Sequence, residues 1–432
     1  MANIRIGMIG CGVVGQGVMR LLHENAAGIE ARLGGRIEVR RIVARDAKRD
    51  RGPHVPKNIV SSDVDALLKD PEIDVVVEVA GGVEPAGGYV RRALEAGKAV
   101  VTANKALLAD RGHALMELAD AKNLDLYFEA AVAGGIPVIR VLREALASDR
   151  ITALRGIING TSNYILSRMA SEGMDFGDAL KLAQEAGYAE ADPTLDVGGG
   201  DAAHKLTILA RLAFGARVEL SQVSVEGIER IQARDIEFAK RFGYVIKSLA
   251  IARADAAGEL ELRVHPTLIP TSDPLAHING ALNAVHIDGA ALGPCLLSGP
   301  GAGALPTAVS VVADIVDVGR NLISESTGRV PHRAMSADKP AKVRSIDART
   351  GRYYLRFSVR DQSGVLGKIA TMLGTHDVSI EQMVQDGHVK DAQVAVVLLT
   401  HPAREANVRA ALKDIDALPF VFDPTCAIRI EG

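Results

Sequence analysis

The sequence predicts an α/β protein with a parallel sheet in its N-terminal part and two α+β parts behind it. Three observations support this prediction. Strand and helix patterns alternate through residues 3–132, a glycine-rich turn follows the first strand, and residues 351–432 follow the order βαββαβ. Strands that alternate with helices are typical of a parallel sheet that helices cover on both faces.

The N-terminal elements are predicted from short apolar runs and from the amphipathic stretches between them. NIRIGMI, residues 3–9, is the first strand. DVVVEVAGG, residues 74–82, is nearly continuous in β-branched residues, as expected of a parallel strand buried on both faces. The other predicted strands are 37–45, 98–104 and 124–132, and the predicted helices are 63–70, 85–97 and 105–123. We assign residues 1–133 to this first domain.

The pattern changes after the first domain. The next predicted elements are a helix from Pro137, a strand at 151–159, long helical stretches up to about residue 248, a β-rich piece at 259–270, and a glycine turn within 299–322 that leads into a helix. We assign residues 134–302 to an α+β domain for substrate binding and dimerisation. We expect the helix around 303–325 to return to the first domain and complete it.

The C-terminal part is predicted as a separate small unit. Residues 331–350, PHRAMSADKPAKVRSIDART, are polar and aperiodic, which is typical of a linker. Beyond them, residues 351–432 contain four strand patterns and two helix patterns in the order βαββαβ, which indicates a ferredoxin-like unit.

Composition limits the classes of function. The chain has 432 residues, of which 48% are hydrophobic and 24% charged, as in globular proteins with a sizeable core. A net charge of −3 gives no reason to expect nucleic acid or an anionic membrane as partner. The three cysteines form no CxxC motif, and no signal peptide or run of about 18 apolar residues is found. We therefore expect a cytoplasmic protein.

The turn after the first strand matches the dinucleotide-binding fingerprint of a Rossmann domain. Gly10-Cys11-Gly12-Val13-Val14-Gly15 follows the pattern G-x-G-x-x-G and opens a helix. The first glycine allows the tight turn, the second lets a pyrophosphate approach, and the third lets helix and strand pack closely. Free N–H groups at the helix start favour the anion. A tight turn that binds no nucleotide is the alternative.

The end of the second strand indicates which nucleotide binds. There, Ala44 and Arg45 are followed by Lys48 and Arg49, a basic cluster suited to the 2′-phosphate of NADP. NAD sites usually offer an acidic residue to the ribose diol, and Asp46 lies one place late for this role. The sequence favours NADP and leaves NAD open. A solvated basic loop is the alternative interpretation.

Two lysines are candidates for the chemistry. Lys105 follows the strand KAVVTAN, at the edge where open α/β sheets bind ligands. Asp201 and Lys205 have i, i+4 spacing and so project from one face of a helix. Reduction of a carbonyl requires a proton donor beside its oxygen, and Lys205 is suited to this role.

Residues 187–205, GYAEADPTLDVGGGDAAHK, carry four carboxylates on a glycine-rich turn before Lys205. Glu190, Asp196 and Asp201 converge on a pocket in which we count one protein cation. This excess predicts that the ligand brings its own positive charge, such as the amino group of an amino acid. A metal loop or a solvated acidic turn is the alternative, although calcium loops use another spacing.

Taken together, these motifs resemble the homoserine dehydrogenase family over nearly the whole chain. The resemblance rests on GCGVVG, TANK, EAAVAGGIP (129–137), NGTSNYIL (159–166), the 187–205 stretch and GPGAGALPT (299–307). It implies an NAD(P)-dependent dehydrogenase that interconverts L-aspartate 4-semialdehyde and L-homoserine, in a monofunctional form without a kinase domain.

The resemblance also assigns roles to residues. It implies that Lys205 is the proton donor and that Lys105 lies at the nicotinamide. The implied substrate-binding residues are Glu190, Asp196, Asp201, Asn159, Gly160 and Thr161. The implied cofactor-binding residues are Gly10, Gly12, Val13, Val14, Gly15, Ala44, Arg45, Lys105, Gly301 and Gly303. Glu129 and the carbonyls of Val132, Gly134 and Ile136 match a structural site for a monovalent cation, usually Na⁺.

The C-terminal unit resembles an ACT domain. Asp361, Gly364, Val365 and Leu366 match the strand–helix turn where small amino acids commonly bind between subunits. The resemblance implies a homodimer or homotetramer with feedback control, for which it favours threonine as the effector. An assembly module that binds no effector is the alternative.

Two rival functions remain. One is a different amino-acid dehydrogenase of the same architecture, for example one that acts on aspartate, which should lack the NGTSNYIL block. The other is an amino-acid-binding regulatory protein with a vestigial Rossmann domain. The complete glycine fingerprint and both lysines disfavour the second rival.

Overall fold

The structure is a computed structural model and describes residues 2–332, 340–386 and 393–432. The first sheet has the order β3-β2-β1-β4-β5-β6, and its paired strands are parallel. Its strands are β1 Ala2–Ile9, β2 Gly35–Val43, β3 Val60–Ser61, β4 Val75–Glu78, β5 Ala99–Thr102 and β6 Leu126–Tyr127. The helices of this part are α1 Val13–Glu24, α2 Ala26–Leu33, α3 Val64–Leu68, α4 Ala86–Glu95 and α5 Lys105–Ala121.

The middle part is α+β. Its helices are α6 Val138–Arg140, α7 Gly160–Glu172, α8 Phe176–Glu185, α9 Thr194–Val197, α10 Gly200–Phe214 and α11 Ala233–Arg241. Its strands are β7 Ile151–Ile157, β8 Ser224–Val225, β9 Tyr244–Ala254, β10 Leu260–Pro270, β11 Leu282–Gly289 and β12 Gly293–Pro300. Helix α12, Ala304–Ile323, follows β12 and lies on the first sheet, where Val311 and Ile315 share a core with Ile6 and Met8.

The C-terminal unit has the strand–helix order of a ferredoxin-like fold. Its strands are β13 Thr350–Arg360, β14 Ile380–Asp386, β15 Gln393–Thr400, β16 Ala403–Arg404 and β17 Val421–Ile430, and its helices are α13 Val365–Thr375 and α14 Glu405–Asp416. Strand β17 pairs with β10 of the middle part, so both parts share one sheet with the order β12-β11-β7-β9-β10-β17-β13-β15-β14.

Several predicted elements differ from the structure. The strand predicted to reach residue 82 ends at Glu78, because the Glu78 carboxylate accepts hydrogen bonds from the N–H groups of Ala80 and Gly81 and turns the chain. The strand predicted over 124–132 covers Leu126–Tyr127, since a 3₁₀ turn at Glu129–Ala131 follows it.

Two further predictions need correction. The helical stretch predicted up to residue 248 ends at Arg241, where Gly243, with a φ of +80°, leads into strand β9. Part of the predicted linker is ordered, because the N–H of Leu260 donates to Lys342 O and the N–H of Arg344 donates to Leu260 O, both at 2.8 Å. Residues 333–339 of that linker lie outside the described residues.

Across the described ranges, none of the helices is both long and apolar enough to span a bilayer.

Candidate active site

The glycine turn between β1 and α1 has the packing that its sequence predicts. Gly10 has a φ of +98°, and a Cβ there would lie 2.6 Å from the backbone nitrogen of Ala80. A Cβ at Gly15 would lie 2.8 Å from Gly10 O, whereas one at Gly12 would meet no atom within 4 Å. The start of α1 is therefore open at Gly12 and closely packed on either side, as a pyrophosphate site requires.

A cavity of about 320 Å³ joins this turn to the predicted catalytic residues. Val13 and Val14 line one part of it, and Lys105 and Lys205 line another. The turn Gly301–Gly303, just before α12, also contributes to its wall. Residues from four separate motifs thus surround one space beside the helix that would hold the pyrophosphate.

Glu78 holds part of the cavity wall in place, a role that the sequence interpretation missed. Its buried carboxylate accepts hydrogen bonds from the N–H groups of Ala80 and Gly81, which line the cavity, at 2.9 and 3.0 Å. The Thr102 hydroxyl donates to the same carboxylate at 2.6 Å. A carboxylate inside an otherwise apolar strand was the available signal, since buried charges are rarely found without a specific role.

The Gly301 turn and the middle part are packed in direct contact. A Cβ at Gly301 would overlap the side chain of Asn283, whose amide donates to Ile157 O at 2.8 Å. Ile157 ends β7, immediately before the Asn159 loop of the predicted substrate site. The predicted cofactor turn is therefore held against the strand that leads to the substrate residues.

In the basic loop after β2, the side chain of Asp46 is hydrogen-bonded to the backbone. Asp46 Oδ1 accepts hydrogen bonds from the N–H groups of Lys48 and Arg49 at 2.9 and 3.2 Å. Arg45 is exposed at the start of this loop, next to the buried Ala44. Arg51, which the sequence interpretation missed, donates to Cys11 O at 3.1 Å and to Asp46 O at 2.6 Å. It ties the basic loop to the glycine turn.

Lys105 and Lys205 share one carboxylate. Lys105 Nζ lies 2.8 Å from Asp201 Oδ1, and Lys205 Nζ lies 2.8 Å from Asp201 Oδ2. Lys205 also donates to Ile158 O at 2.8 Å. Lys105 is the first residue of α5 and Asp201 lies in the first turn of α10, so packing of these two helices brings the groups together.

The charges of this cluster stabilise one another. Burial alone would raise the pKa of Asp201, but the positive charges of Lys205 and Lys105 outweigh it and hold that pKa well below its usual range. Burial lowers the pKa of Lys105, and the charges of Asp201, Asp196 and Glu190 reverse this, so its pKa lies above the ordinary value. Asp201 and Lys105 are therefore both charged at neutral pH.

This arrangement corrects the count of one protein cation made from the sequence. Two lysines, and not one, face the acidic stretch, and both oxygens of Asp201 are engaged by them. Asp201 therefore pairs with the two lysines first, and the negative charge open to a ligand ammonium comes from its neighbours. The sequence spacing could not reveal this, because Lys105 comes from a distant helix.

Asn159 aligns the acidic residues. Its amide donates to Asp196 Oδ1 at 2.7 Å and to Asp201 Oδ2 at 2.8 Å, and its Oδ1 caps α7 by accepting from the N–H of Ser162. Gly160 is the first residue of α7, and the Thr161 hydroxyl donates to Tyr188 O at 2.6 Å. The predicted substrate residues thus fix the acidic turn in place around the lysines.

Asp196 and Glu190 differ in their surroundings. Burial raises the pKa of Asp196, whose carboxylate accepts the Asn159 amide. Glu190 is exposed, and within the described part of the chain its carboxylate makes no hydrogen bond or ion pair. Its negative charge nevertheless contributes to the raised pKa of Lys105.

The residues predicted to hold a monovalent cation lie within residues 129–136, where Glu129, Val132 and Ile136 are buried. Both carboxylate oxygens of Glu129 accept backbone N–H groups, from Ile139 and Arg140, each at 2.8 Å. Burial raises the pKa of Glu129. The carbonyl of Gly134 accepts the Ser310 hydroxyl at 2.7 Å. A carboxylate or carbonyl oxygen that accepts one hydrogen bond retains a lone pair, and oxygens of both kinds suit a hard, weakly charged cation.

The predicted effector residues lie at the turn between β13 and α13. Gly364 has a φ of +88° and caps α13, and the N–H of Val365 donates to Gln362 O at 3.2 Å. Val365 is buried while Asp361 and Leu366 are half-buried. This turn belongs to the C-terminal unit and is separate from the lysine cluster.

Comparison with known families identifies the family to which this chain belongs. Residues 10–129 match the family described as homoserine dehydrogenase, NAD binding domain, and residues 137–316 match the one described as homoserine dehydrogenase. The chain is 44% identical to the homoserine dehydrogenase of Neisseria gonorrhoeae, covering all of this chain and 99% of that one. The chain belongs to the homoserine dehydrogenase family. The members of this family are NAD(P)-dependent oxidoreductases, as both the glycine fingerprint and the lysines predict.

Solved homoserine dehydrogenases share the fold. One from Thiobacillus denitrificans has a TM-score of 0.93 and 45% identity, and covers 100% of this chain and 99% of that one. A hyperthermophilic archaeal homoserine dehydrogenase in complex with NADPH has a TM-score of 0.62 and 28% identity, covering 73% of this chain and 98% of that one. Residues 353–420 match the ACT domain, which confirms the predicted class of the C-terminal unit.

Proposed function

We propose that the chain catalyses the NADPH-dependent reduction of L-aspartate 4-semialdehyde to L-homoserine, in the biosynthesis of threonine, methionine and isoleucine. The observation that carries this proposal is the pair of lysines on Asp201, in the wall of a cavity that reaches the glycine turn. Two positive charges at such a site would stabilise the oxygen of a bound aldehyde as it gains negative charge.

Each lysine has a distinct role in this proposal. When bound, the nicotinamide supplies the hydride that reaches the aldehyde carbon. Lys205, fixed by Asp201 and Ile158 O, donates the proton to the aldehyde oxygen. Lys105 stabilises the charge on that oxygen, because its raised pKa keeps it protonated. Asp201 keeps both ammonium groups in position.

The substrate's amino group would bind to the acidic turn. Glu190 is exposed and its carboxylate is available within the described residues, whereas Asp196 is shared with the Asn159 amide. We propose that Glu190 and Asp196 hold the ammonium and that Asn159, Gly160 and Thr161 keep this turn in register with the lysines. This would explain why so much negative charge lies on one turn.

The first experiment measures homoserine-dependent reduction of NADP⁺ and of NAD⁺ by the purified protein, followed by the absorbance of the reduced nicotinamide. We expect turnover with homoserine, none with aspartate, and a lower KM for NADP⁺ than for NAD⁺. Activity with aspartate in place of homoserine would favour the rival dehydrogenase. Amino-acid binding without turnover would favour the regulatory protein.

The preference for NADP rests on the basic loop. Asp46, the acidic candidate for the ribose diol of NAD, already accepts hydrogen bonds from the backbone N–H groups of Lys48 and Arg49. We expect Arg45→Ala to raise the KM for NADP⁺ by about tenfold, as loss of a charged phosphate contact should, and to leave the KM for NAD⁺ nearly unchanged. Lys69→Ala, an exposed lysine that pairs with Asp65, is the control. Equal effects on both cofactors would contradict the assignment.

We also propose that Na⁺ binds at Glu129 with the carbonyls of Val132, Gly134 and Ile136. The support is a buried carboxylate, with a raised pKa, in the same short segment as the buried Val132 and Ile136. Activity and thermal stability measured in NaCl and in tetramethylammonium chloride at equal ionic strength test this. A lower melting temperature without Na⁺ is expected, and identical curves would contradict the site.

Control by an end product is proposed for the ACT domain, with threonine as the effector at Asp361, Gly364, Val365 and Leu366. A homodimer or homotetramer in the cytoplasm is part of this proposal, since such turns bind amino acids between subunits. Threonine titration of the dehydrogenase activity, with sedimentation of the protein in its presence and absence, tests both points. If neither threonine nor other amino acids change the activity, the ACT domain is an assembly module that binds no effector.

A further inference from the structure

A short segment of the middle part lies between the ACT unit and the acidic turn. Residues 226–235 run from the end of β8 into the first turn of α11, and we call them the bridging segment. Its two ends contact the ACT unit, and its centre contacts the turn that precedes α10.

The centre of the bridging segment packs directly on the acidic turn. The N–H of Ile228 donates to Val197 O at 2.9 Å, and both side chains are buried in one core. A Cβ at Gly227 would lie 2.6 Å from the same carbonyl, so no side chain fits between the two backbones. Val197 directly follows Asp196. A shift of the bridging segment therefore moves the residues that carry the substrate carboxylates.

At its first end the bridging segment is bound by an arginine of the ACT unit. Arg429, on β17, donates to both oxygens of Glu226, at 2.7 and 2.8 Å. The same buried guanidinium donates to Glu405 Oε2 at 2.9 Å, and the Tyr353 hydroxyl donates to that oxygen at 2.7 Å. Arg429 is thus held rigidly within the ACT unit, and Glu226 is held by Arg429.

At its other end the bridging segment is bound a second time. Asp235 is fully buried, and its carboxylate accepts the guanidinium of Arg356 and, at 2.8 Å, the hydroxyl of Tyr354, both on β13. Asp235 also accepts the N–H of Gln232 at 2.9 Å and so caps α11. Two arginines of the ACT unit therefore fix both ends of the segment whose centre supports the acidic turn.

We propose that Glu226 is a positioning residue for substrate binding, through which the ACT unit holds the acidic turn at Asp196 and Asp201 in its binding geometry. This inference rests on the proposed function of that turn. The carboxylate of Glu226 pairs with Arg429 and Arg409 of the ACT unit, and Glu226 is not among the described residues that line the cofactor cavity. Its effect is therefore on the amino-acid substrate and not on the nicotinamide nucleotide.

The variant that tests this is Glu226→Gln. Its side chain keeps the size and one acceptor oxygen but loses the charge, while Arg429 retains Glu405 as its buried partner. Glu226 is itself 41% exposed, so the protein should remain folded. We expect the KM for homoserine to rise by about fivefold, within the range of coupling energies between linked sites, with kcat and the KM for NADP⁺ within about twofold of the wild type.

The matched control is Arg253→Gln. Arg253, on β9, donates to Glu431 of the ACT unit at 2.6 Å, so it also joins the two parts, but it does not contact the bridging segment. Glu431 keeps Arg263 and Arg349 as partners in this variant. The KM for homoserine should stay within about twofold of the wild type, since a contact between the parts is lost without a shift of the turn.

A second variant approaches the same contact from the ACT side. Arg429→Lys keeps the positive charge but cannot engage the two carboxylates Glu226 and Glu405 together. We expect it to raise the KM for homoserine as Glu226→Gln does. If both variants show the KM of Arg253→Gln, or if the KM for NADP⁺ rises in parallel, Glu226 has no positioning role. If the wild type shows no homoserine-dependent turnover, the proposed function itself is contradicted.

Discussion

Two clusters of buried charge in this protein have opposite compositions. At the cavity, one carboxylate, Asp201, is shared by Lys105 and Lys205. Between the ACT unit and the middle part, one guanidinium, Arg429, is shared by Glu226 and Glu405. Arg409 adds a second positive charge to the latter, through Glu405 at 3.2 Å. The shared group is thus an anion between two cations at the cavity, and a cation between two anions at the interdomain cluster.

The chemical nature of the cations agrees with this difference. A lysine ammonium can give up a proton within the reach of protein environments, whereas an arginine guanidinium stays charged and binds carboxylates through several fixed N–H groups. The cavity cluster therefore has the groups for proton transfer and oxyanion stabilisation. The interdomain cluster has the groups for rigid attachment. Attraction between opposite charges thus serves catalysis in the cavity cluster and attachment of the ACT unit in the interdomain cluster.

The largest expected effect separates the clusters by function. Lys205→Ala should lower kcat with homoserine by about 10²- to 10⁴-fold, the usual contribution of a positioned proton donor, while NADPH binding stays close to that of the wild type. Stopped-flow or steady-state kinetics and a fluorescence titration with NADPH measure the two quantities. Lys205→Arg, which keeps the charge but not the donor, should be nearly as slow. Near-normal turnover in Lys205→Ala would remove Lys205 from the donor role.

The interdomain cluster should respond in stability. Glu405→Gln leaves Arg429 and Arg409 with less negative charge in a buried site, so the free energy of unfolding in urea should fall by about 3 kcal/mol, with kcat retained. Glu381→Gln, in the partly exposed pair with Arg352, should lose less than about 1 kcal/mol. A large loss of kcat in folded Glu405→Gln would erase the distinction between the clusters.

The stability difference between the wild type and Glu405→Gln should depend on pH. Burial raises the pKa of Glu405, but Arg429 and the Tyr353 hydroxyl outweigh this and lower it below the ordinary value. A carboxyl group whose pKa is lowered by folding stabilises the protein above its unfolded pKa and loses this contribution as the pH falls through the folded one. The stabilities of the wild type and Glu405→Gln should therefore converge on acidification below the ordinary pKa of glutamate.

A smaller effect sharpens the account of the cavity cluster. Asp201→Asn removes the main charge that raises the pKa of Lys105, and burial then lowers that pKa. The alkaline limb of the kcat/KM profile should consequently move to lower pH than in the wild type. An unchanged limb would mean that Lys105 does not depend on Asp201 for its charge.

The smallest expected effect concerns the substrate ammonium. Glu190→Gln should raise the KM for homoserine by about three- to tenfold, as loss of one partly exposed charge contact does, with little change in kcat. Glu185→Gln, an exposed glutamate at the end of α8, is the control for surface charge. Equal KM values for homoserine in the two variants would mean that the substrate ammonium does not bind at Glu190.

Local patterns in the sequence predicted much of this site. Gly10 and Gly15 lie at fixed positions of a short motif, and Asp201 and Lys205 are one helical turn apart, so a single element determines each pair. The ion pair between Lys105 and Asp201 was missed because it depends on the packing of α5 against α10. Nothing local to either helix encodes that distance.

Two parts of the fold were also missed. The hairpin of β11 and β12 was not predicted, since four of the eight residues of β12 are glycine or proline, which are poor strand formers. The junction of the ACT sheet with the middle sheet is two residue pairs long, Thr267 with Arg429 and Leu268 with Ile430. Such a short contact leaves no periodic signal in the sequence.

The most direct test is an experimental structure with NADP⁺ and homoserine bound. We expect the homoserine hydroxyl within about 3.2 Å of Lys205 Nζ, the nicotinamide beside Gly301–Gly303, and the amino group of homoserine at Glu190 or Asp196. A hydroxyl in contact with neither Lys205 nor Lys105, with Asp201 still bound to both, would contradict the assignment of this cluster to catalysis.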